Sequence, residues 1–157
     1  MKRENLVDPI DFIKSLNKED VRYLLVGRQA LVQYGAPLQS FDYDFYIAPE
    51  LDNLKKIIKI AHKFHMEIEP SDPQKVLKLT LYAHNLKVDV FRARRYSVKG
   101  GSLFFEEMYE NRTVFKKGKF KIDVPSLADL RRTKLIRNTA KDREDLKYID
   151  ELISRLK

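Results

Sequence analysis

The sequence contains no cysteine and no tryptophan, and only five of its 157 residues are glycine. Without cysteine, disulfides, a thiolate nucleophile and a cysteine-based zinc site are excluded. No stretch approaches the roughly 20 apolar residues that a membrane helix needs. The opening "MKRENLVDPIDFIKSL" lacks the apolar centre of a secretory leader, so a cytoplasmic protein with no membrane partner is expected. The scattered serines have no accompanying His–Asp relay, which leaves serine-nucleophile chemistry without support.

What is present is ordinary in polarity but biased in charge. Hydrophobic residues make up 43% and charged residues 34%, with 31 Lys and Arg against 23 Asp and Glu, a formal net charge of +8. That balance favours polyanionic partners such as nucleotides or nucleic acid. The length suits one domain over residues 1–157, with a core over about 1–124 and a helical tail over about 125–157.

Periodicity predicts a short helix over Asp8–Leu16, a strand "VRYLLVG" (21–27), and a helix "RQALVQYG" (28–35) starting at once. A second strand, "FDYDFYI" (41–47), precedes an amphipathic helix over 49–65. "MEIE" reads as a short edge strand. "KVLKLTLYA" (75–83) and "LKVDVFRA" (86–93) read as two strands joined by a tight His84-Asn85 turn. "RYSVKGGSLF" reads as a loop with Gly100-Gly101 a flexible turn, "FFEEMYENRTVF" as a short helix or irregular segment, and "KFKIDV" (119–124) as a strand. Two helices close the chain, capped by Ser126 and Thr139, with Asp129 and Asp142 three residues on in capping-box positions. The fold class is α/β (α+β): a mixed sheet with flanking helices and a C-terminal helical extension.

"FDYDFYI" raises a chemical question. Asp42 and Asp44 fall on one face of a strand, with Phe41, Tyr43, Phe45 and Ile47 on the other. Two carboxylates side by side repel. Asp89, inside the apolar pattern "VDV", adds a third if its strand lies beside 41–47. A divalent cation resolves the repulsion, and hard oxygen ligands on a rigid sheet suit Mg²⁺, which also binds substrate phosphates. Taken alone, Asp42-x-Asp44 is as readily a pair facing solvent on a half-exposed strand as a metal site, and Asp89 alone is more often a solvent-facing strand residue or one partner of an ion pair. Gly27 and the helix that begins after it add a turn where phosphate can approach the backbone.

The ordered set of Gly27, Asp42-x-Asp44 and Asp89 in "KVDVF" resembles the nucleotidyltransferase superfamily of DNA polymerase β, and within it the minimal and type IV toxin-like members. "VPSLADLRRTKLIRNTAKDREDLKYI" is similar to the helical tail of the toxin-like members, with Lys134, Lys141, Asp142 and Asp145 on the matching positions. The resemblance covers roughly residues 20 to 155. It implies a mixed-sheet nucleotidyltransferase core and transfer of a nucleoside monophosphate from an NTP to an acceptor hydroxyl. Asp42, Asp44 and Asp89 would be the catalytic and metal-binding residues for Mg²⁺ or Mn²⁺. Gly27, Arg28 and Lys134 would be nucleotide-binding. The acceptor is left open among RNA, protein and small molecule, as are a homo-oligomer and a place in a toxin–antitoxin pair. Arg28 departs from the usual Gly or Ser. It can bind phosphate bidentately, or fill the pocket, which leaves a catalytically inactive nucleotide- or RNA-binding module as the alternative.

Helix geometry supports part of this independently. Lys134 follows Leu130 by four and Leu127 by seven, so it projects from an apolar helix face, where a lysine needs an anion or a path to water. Asp142 is explained by capping, and Asp145 is expected to form an internal ion pair with Lys134 or Arg137. His62 and His65 share a helix face but have no further metal ligand in view. The "RARR" run (92–95) follows the Asp89 strand and is placed to contact a triphosphate or acceptor, but a solvated basic loop is the stronger reading.

Overall fold

The structure, a computed structural model, describes residues 5–98 and 100–156, with the side chains of Tyr96 and Val98 excepted. Residues 1–4, at the head of the stretch read for a leader, Lys99 in the expected loop, and Lys157 lie outside the described residues. The chain begins with helix α1 (Pro9–Lys18), strand β1 (Tyr23–Val26), helix α2 (Gly27–Gln33), strand β2 (Asp42–Ile47), helix α3 (Leu51–Lys63) and strand β3 (Glu67–Glu69). A 3-10 turn (Pro73–Lys75), strands β4 (Lys78–Tyr82) and β5 (Lys87–Arg92), the hairpin β6 (Arg95–Val98) and β7 (Gly101–Phe104), and helix α4 (Phe105–Glu110) follow. Strands β8 (Thr113–Lys117) and β9 (Phe120–Val124) lead to helices α5 (Leu127–Arg137) and α6 (Ala140–Arg155).

The main sheet has the order β1-β2-β5-β4-β3. Only β2 and β5 run parallel; the other neighbours are antiparallel, so the sheet is mixed. Two residues, His84 and Asn85, turn β4 into β5, closed by a bond from the Ala83 amide to the Leu86 carbonyl at 2.8 Å. The short strand β3 lies at the sheet edge, as "MEIE" suggested.

Alternation along the strands divides the apolar residues between two clusters. Leu25, Phe45 and Ile47 point into the larger one, against Phe12 and Ile13 of α1 and Leu54 and Ile57 of α3. Leu24 and Tyr46 point to the opposite face and pack with Phe105 and Met108 of α4 and Leu103 of β7. Phe41 departs from the expected pattern. It precedes the strand and is 84% exposed.

The segment 94–118 corrects the sequence reading. Its "RYSVKGGSLF" part is a hairpin, β6–β7, rather than a loop. Its Gly-Gly pair is packed rather than loose: a Cβ on Gly100 would lie 2.6 Å from the Ile136 carbonyl oxygen. The hairpin earns its place by covering Phe105 and Ile136, a tertiary contact that local propensity does not report. The "RARR" run is also not a free loop, because Arg92 belongs to β5 and donates to the carbonyls of Gln74 and Pro49.

The two closing helices start as expected. The Ser126 hydroxyl accepts from the Asp129 amide at 3.1 Å, half of a capping box. Thr139 and Asp142 form the complete box. Ile149 and Leu152 of α6 join the larger apolar cluster, so the helical tail shares the core's hydrophobic interior. No helix among the described residues is long and apolar enough to cross a membrane.

Candidate functional site

Asp44 and Asp89 stand opposite each other in the parallel β2–β5 ladder, and Asp44 is also opposite Val26 of β1. Asp42 lies two residues earlier on the same strand face, at the exposed start of β2. All three line one cavity of about 360 Å³, together with Gly27, Arg28 and Lys134. Every residue singled out from the sequence as a site residue therefore borders one space.

The turn after β1 is shaped around Asp44. Gly27 has φ +68°, and a Cβ built there would lie 2.6 Å from Asp44 Oδ2. Glycine is needed both for the backbone conformation and for the close approach. Helix α2 has only seven residues and no side-chain cap at its start. Gln29 donates to the Ser40 carbonyl and pins the loop that delivers Asp42.

The carboxylates are strained electrostatically. Burial pushes the Asp44 carboxyl above its ordinary value, and Asp89 and then Asp42 push it further. Lys141 and Lys78 pull in the other direction. Asp89 is partly settled: the Thr80 hydroxyl donates to Oδ1 at 2.7 Å, and Lys87 Nζ lies 3.9 Å from Oδ2.

The opposite wall comes from α5 and α6 and is cationic. Lys134 is almost fully buried, with Nζ 3.0 Å from Asp145 and 3.5 Å from Asp142. Arg137 lies 3.5 Å from Asp142, and not against Asp145. Burial would raise the Asp142 carboxyl, but hydrogen bonds from the Thr139 hydroxyl and amide, with Arg137 and Lys134, outweigh it and hold it below the usual range. Arg28 turns away from the carboxylates, toward Asp145 at 3.3 Å and Glu144 at 3.7 Å.

Among the described residues, no group of three or more His, Asp or Glu side chains is arranged to hold a metal ion. The three aspartates thus share a face and a cavity but do not form a closed three-carboxylate cage. The donor chemistry still fits a hard cation. Asp44 and Asp89 are adjacent, the nearby lysines do not offset the burial and repulsion that raise the Asp44 carboxyl, and both line the cavity, which suits an ion bound by one or two carboxylates plus water and phosphate.

Lys78 and Thr80 escaped the sequence reading, although a signal for them existed. The two-residue turn at His84-Asn85 sets Thr80 opposite Asp89 and Lys78 opposite Phe91, once β4 and β5 are accepted as a hairpin. His62 and His65 stay exposed on and just beyond α3, outside the cavity lining.

Three solved structures match this architecture over most of their length. One is a Thermotoga maritima protein assigned as a nucleotidyltransferase, with a TM-score of 0.62, 17% identity, and 90% of each chain covered. The chain has a nucleotidyltransferase fold. The second is the lincosamide antibiotic adenylyltransferase LnuA with lincomycin bound, with a TM-score of 0.65, 16% identity, and 95% of this chain and 99% of that one covered. The third is ANT(2″)-Ia in complex with adenylyl-2″-tobramycin, with a TM-score of 0.59, 6% identity, and 93% and 86% covered. No family model matches the chain, and no curated protein matches it. Within the nucleotidyltransferase fold, the Gly27 turn, the β2 and β5 aspartates and the α5–α6 wall enclose the cavity just described.

Proposed function

We propose that the protein is a metal-dependent nucleotidyltransferase that moves a nucleoside monophosphate from an NTP to an acceptor hydroxyl. The observation that carries this reading is the Asp44–Asp89 pair, set across one cavity from the Lys134, Arg137 and Lys141 wall. One pole suits a cation and the other suits phosphate. A chain containing both in one cavity is built to hold a charged phosphate chain between them.

Asp44 and Asp89 would hold Mg²⁺ or Mn²⁺, with Asp42 on the same strand face adding negative charge, and the metal when bound would neutralise phosphate charge. Gly27 would let the phosphates approach the backbone beside Asp44. Lys134, Arg137 and Lys141 would face the outer phosphates, with Lys134 fixed by its two buried carboxylates. Asp89 would take the acceptor's proton on Oδ2, since Thr80 occupies Oδ1. The acceptor oxygen then bonds to the α-phosphorus, the bond to pyrophosphate breaks, and pyrophosphate leaves. Positioning and charge neutralisation supply the catalysis. The acceptor is an RNA end, a protein side chain or a small molecule; LnuA and ANT(2″)-Ia were each captured with an antibiotic or its adenylylated product.

Calorimetric titration with each of the four NTPs, with Mg²⁺ or Mn²⁺, tests the reading on the wild type and on Asp42→Asn/Asp44→Asn. Binding that needs the metal and vanishes in the double variant is expected. If no NTP binds with either metal, the transferase reading is withdrawn.

A further inference from the structure

Arg28 stands where the nucleotidyltransferases that the sequence resembles carry Gly or Ser. Its guanidinium does not point at the sheet carboxylates. It runs along the cavity wall to α6, with Nε 3.3 Å from Asp145 and a terminal nitrogen 3.7 Å from Glu144. The Arg28 side chain is 24% exposed, whereas Asp145 has no exposed surface.

The surroundings of Asp145 make this contact more than incidental. Neither of its carboxylate oxygens has a hydrogen-bond partner. Among the described residues, its charge is compensated by two cations, Arg28 from α2 and Lys134 from α5. A buried carboxylate that loses such a partner is left with an uncompensated charge, one of the costlier defects a fold can carry. Three helices therefore meet at one buried anion. Arg28 supplies the link to the sheet core, because Lys134 belongs to the helical tail itself.

We propose that Arg28 is a positioning latch. It ties the first turns of α6 to the turn after β1, and so holds Lys134, Arg137 and Lys141 at their places around the cavity. It is not a phosphate ligand. Arginine suits the task because its planar fork reaches two carboxylates at once, Asp145 and Glu144. The C-terminal half of α6 is anchored separately by Ile149 and Leu152 in the apolar core, so the latch acts on the N-terminal half. The consequence for nucleotide rests on the reading above; the latch itself does not.

The exchange and stability measurements use ligand-free protein, so loss of the nucleotide reading leaves them intact. Amide hydrogen exchange and Tm are measured on the wild type, Arg28→Met, Asp145→Asn and the double variant. Arg28→Met is expected to speed exchange at least tenfold across residues 143–149 while β2 and β5 are unchanged, and to lower Tm by roughly 5–10 °C. The double variant is expected to lose less than the sum of the single ones. If Asp145→Asn does not fold, Arg28→Lys replaces it. Keeping the charge and losing the fork, it is expected to fall between wild type and Arg28→Met. Unchanged exchange in α6 of Arg28→Met, or a rise spread evenly over the chain, overturns the latch. So does a tenfold loss of Mg²⁺–ATP affinity in Arg28→Met with α6 exchange unaltered, which makes Arg28 a phosphate contact.

Discussion

Asp44 of β2 faces Asp89 of β5 across the parallel ladder, with Gly27 so close to Asp44 that no side chain fits between them. Two carboxylates in that position destabilise the fold while no cation is present. Asp44→Asn is accordingly expected to raise Tm in metal-free buffer by roughly 2–4 °C, about 1 kcal/mol. Adding Mg²⁺ is expected to raise the Tm of the wild type and to leave Asp44→Asn nearly unmoved. Thermal melts with and without the metal check both, and a drop in Tm for metal-free Asp44→Asn counts against the repulsion.

The same repulsion has a pH signature. The Asp44 carboxyl is raised above 3.8, so the folded chain holds its proton more tightly than the unfolded chain. Its contribution to stability is therefore favourable in acid and declines as pH rises from about 3.8 through the raised folded value. Asp142 behaves oppositely. Its lowered carboxyl adds stability above 3.8, lost as pH falls through its folded value. The Tm advantage of Asp44→Asn over wild type is expected to widen as pH rises above 3.8 and then level off. An advantage independent of pH would mean that charge is not its origin.

Gly27→Ala adds a methyl 2.6 Å from Asp44 Oδ2 at a residue with φ +68°. Strain and displacement of the carboxylate together are expected to cost on the order of 1–3 kcal/mol. The metal-dependent rise in Tm is expected to shrink as well, since Asp44 must move. Chemical denaturation gives the first quantity, and melts with Mg²⁺ give the second.

Lys134→Met leaves Asp142 and Asp145 buried with one cation fewer. A loss of about 3–5 kcal/mol is expected, against about 1 kcal/mol for Thr139→Ala, which removes only the α6 cap. Urea titration of both variants separates the two. Equal losses would show that the buried charges are solvated in a way the closed wall does not suggest.

Gly100→Ala places a Cβ 2.6 Å from the Ile136 carbonyl oxygen, a backbone atom in α5 that cannot easily move aside. The β6–β7 hairpin is expected to lift from α5, with faster amide exchange over 101–104 and a lower Tm. Exchange identical to wild type would place Gly100 in open space.

Local pattern carried far where one face of an element meets the core. The 3.6-residue stripe of α3 and the alternation of Phe45 and Ile47 against Asp42 and Asp44 are direct consequences of burying one side of an amphipathic element. The aspartates were legible because a charge in an apolar strand pattern is conspicuous. The β6–β7 hairpin was not legible, because the apolar cluster that Leu103 joins draws on Leu24 of β1, Tyr46 of β2 and Ile136 of α5, all far along the chain. Lys78 and Thr80 became site residues only through register.

The sequence by itself determined the order of strands and helices outside residues 94–118, the caps at Ser126 and Thr139, the inward lysine at 134 and the three aspartates. Each depends on neighbours within a few residues, the range over which backbone propensity and periodicity act. The tertiary structure alone decided that Asp44 and Asp89 are ladder partners, that Arg28 reaches α6 rather than the sheet, and that Lys134 shares Asp145 with it. Those are long-range choices. They follow from sheet order and from the cost of leaving a buried carboxylate without a cation, and neither is written in any short stretch of chain.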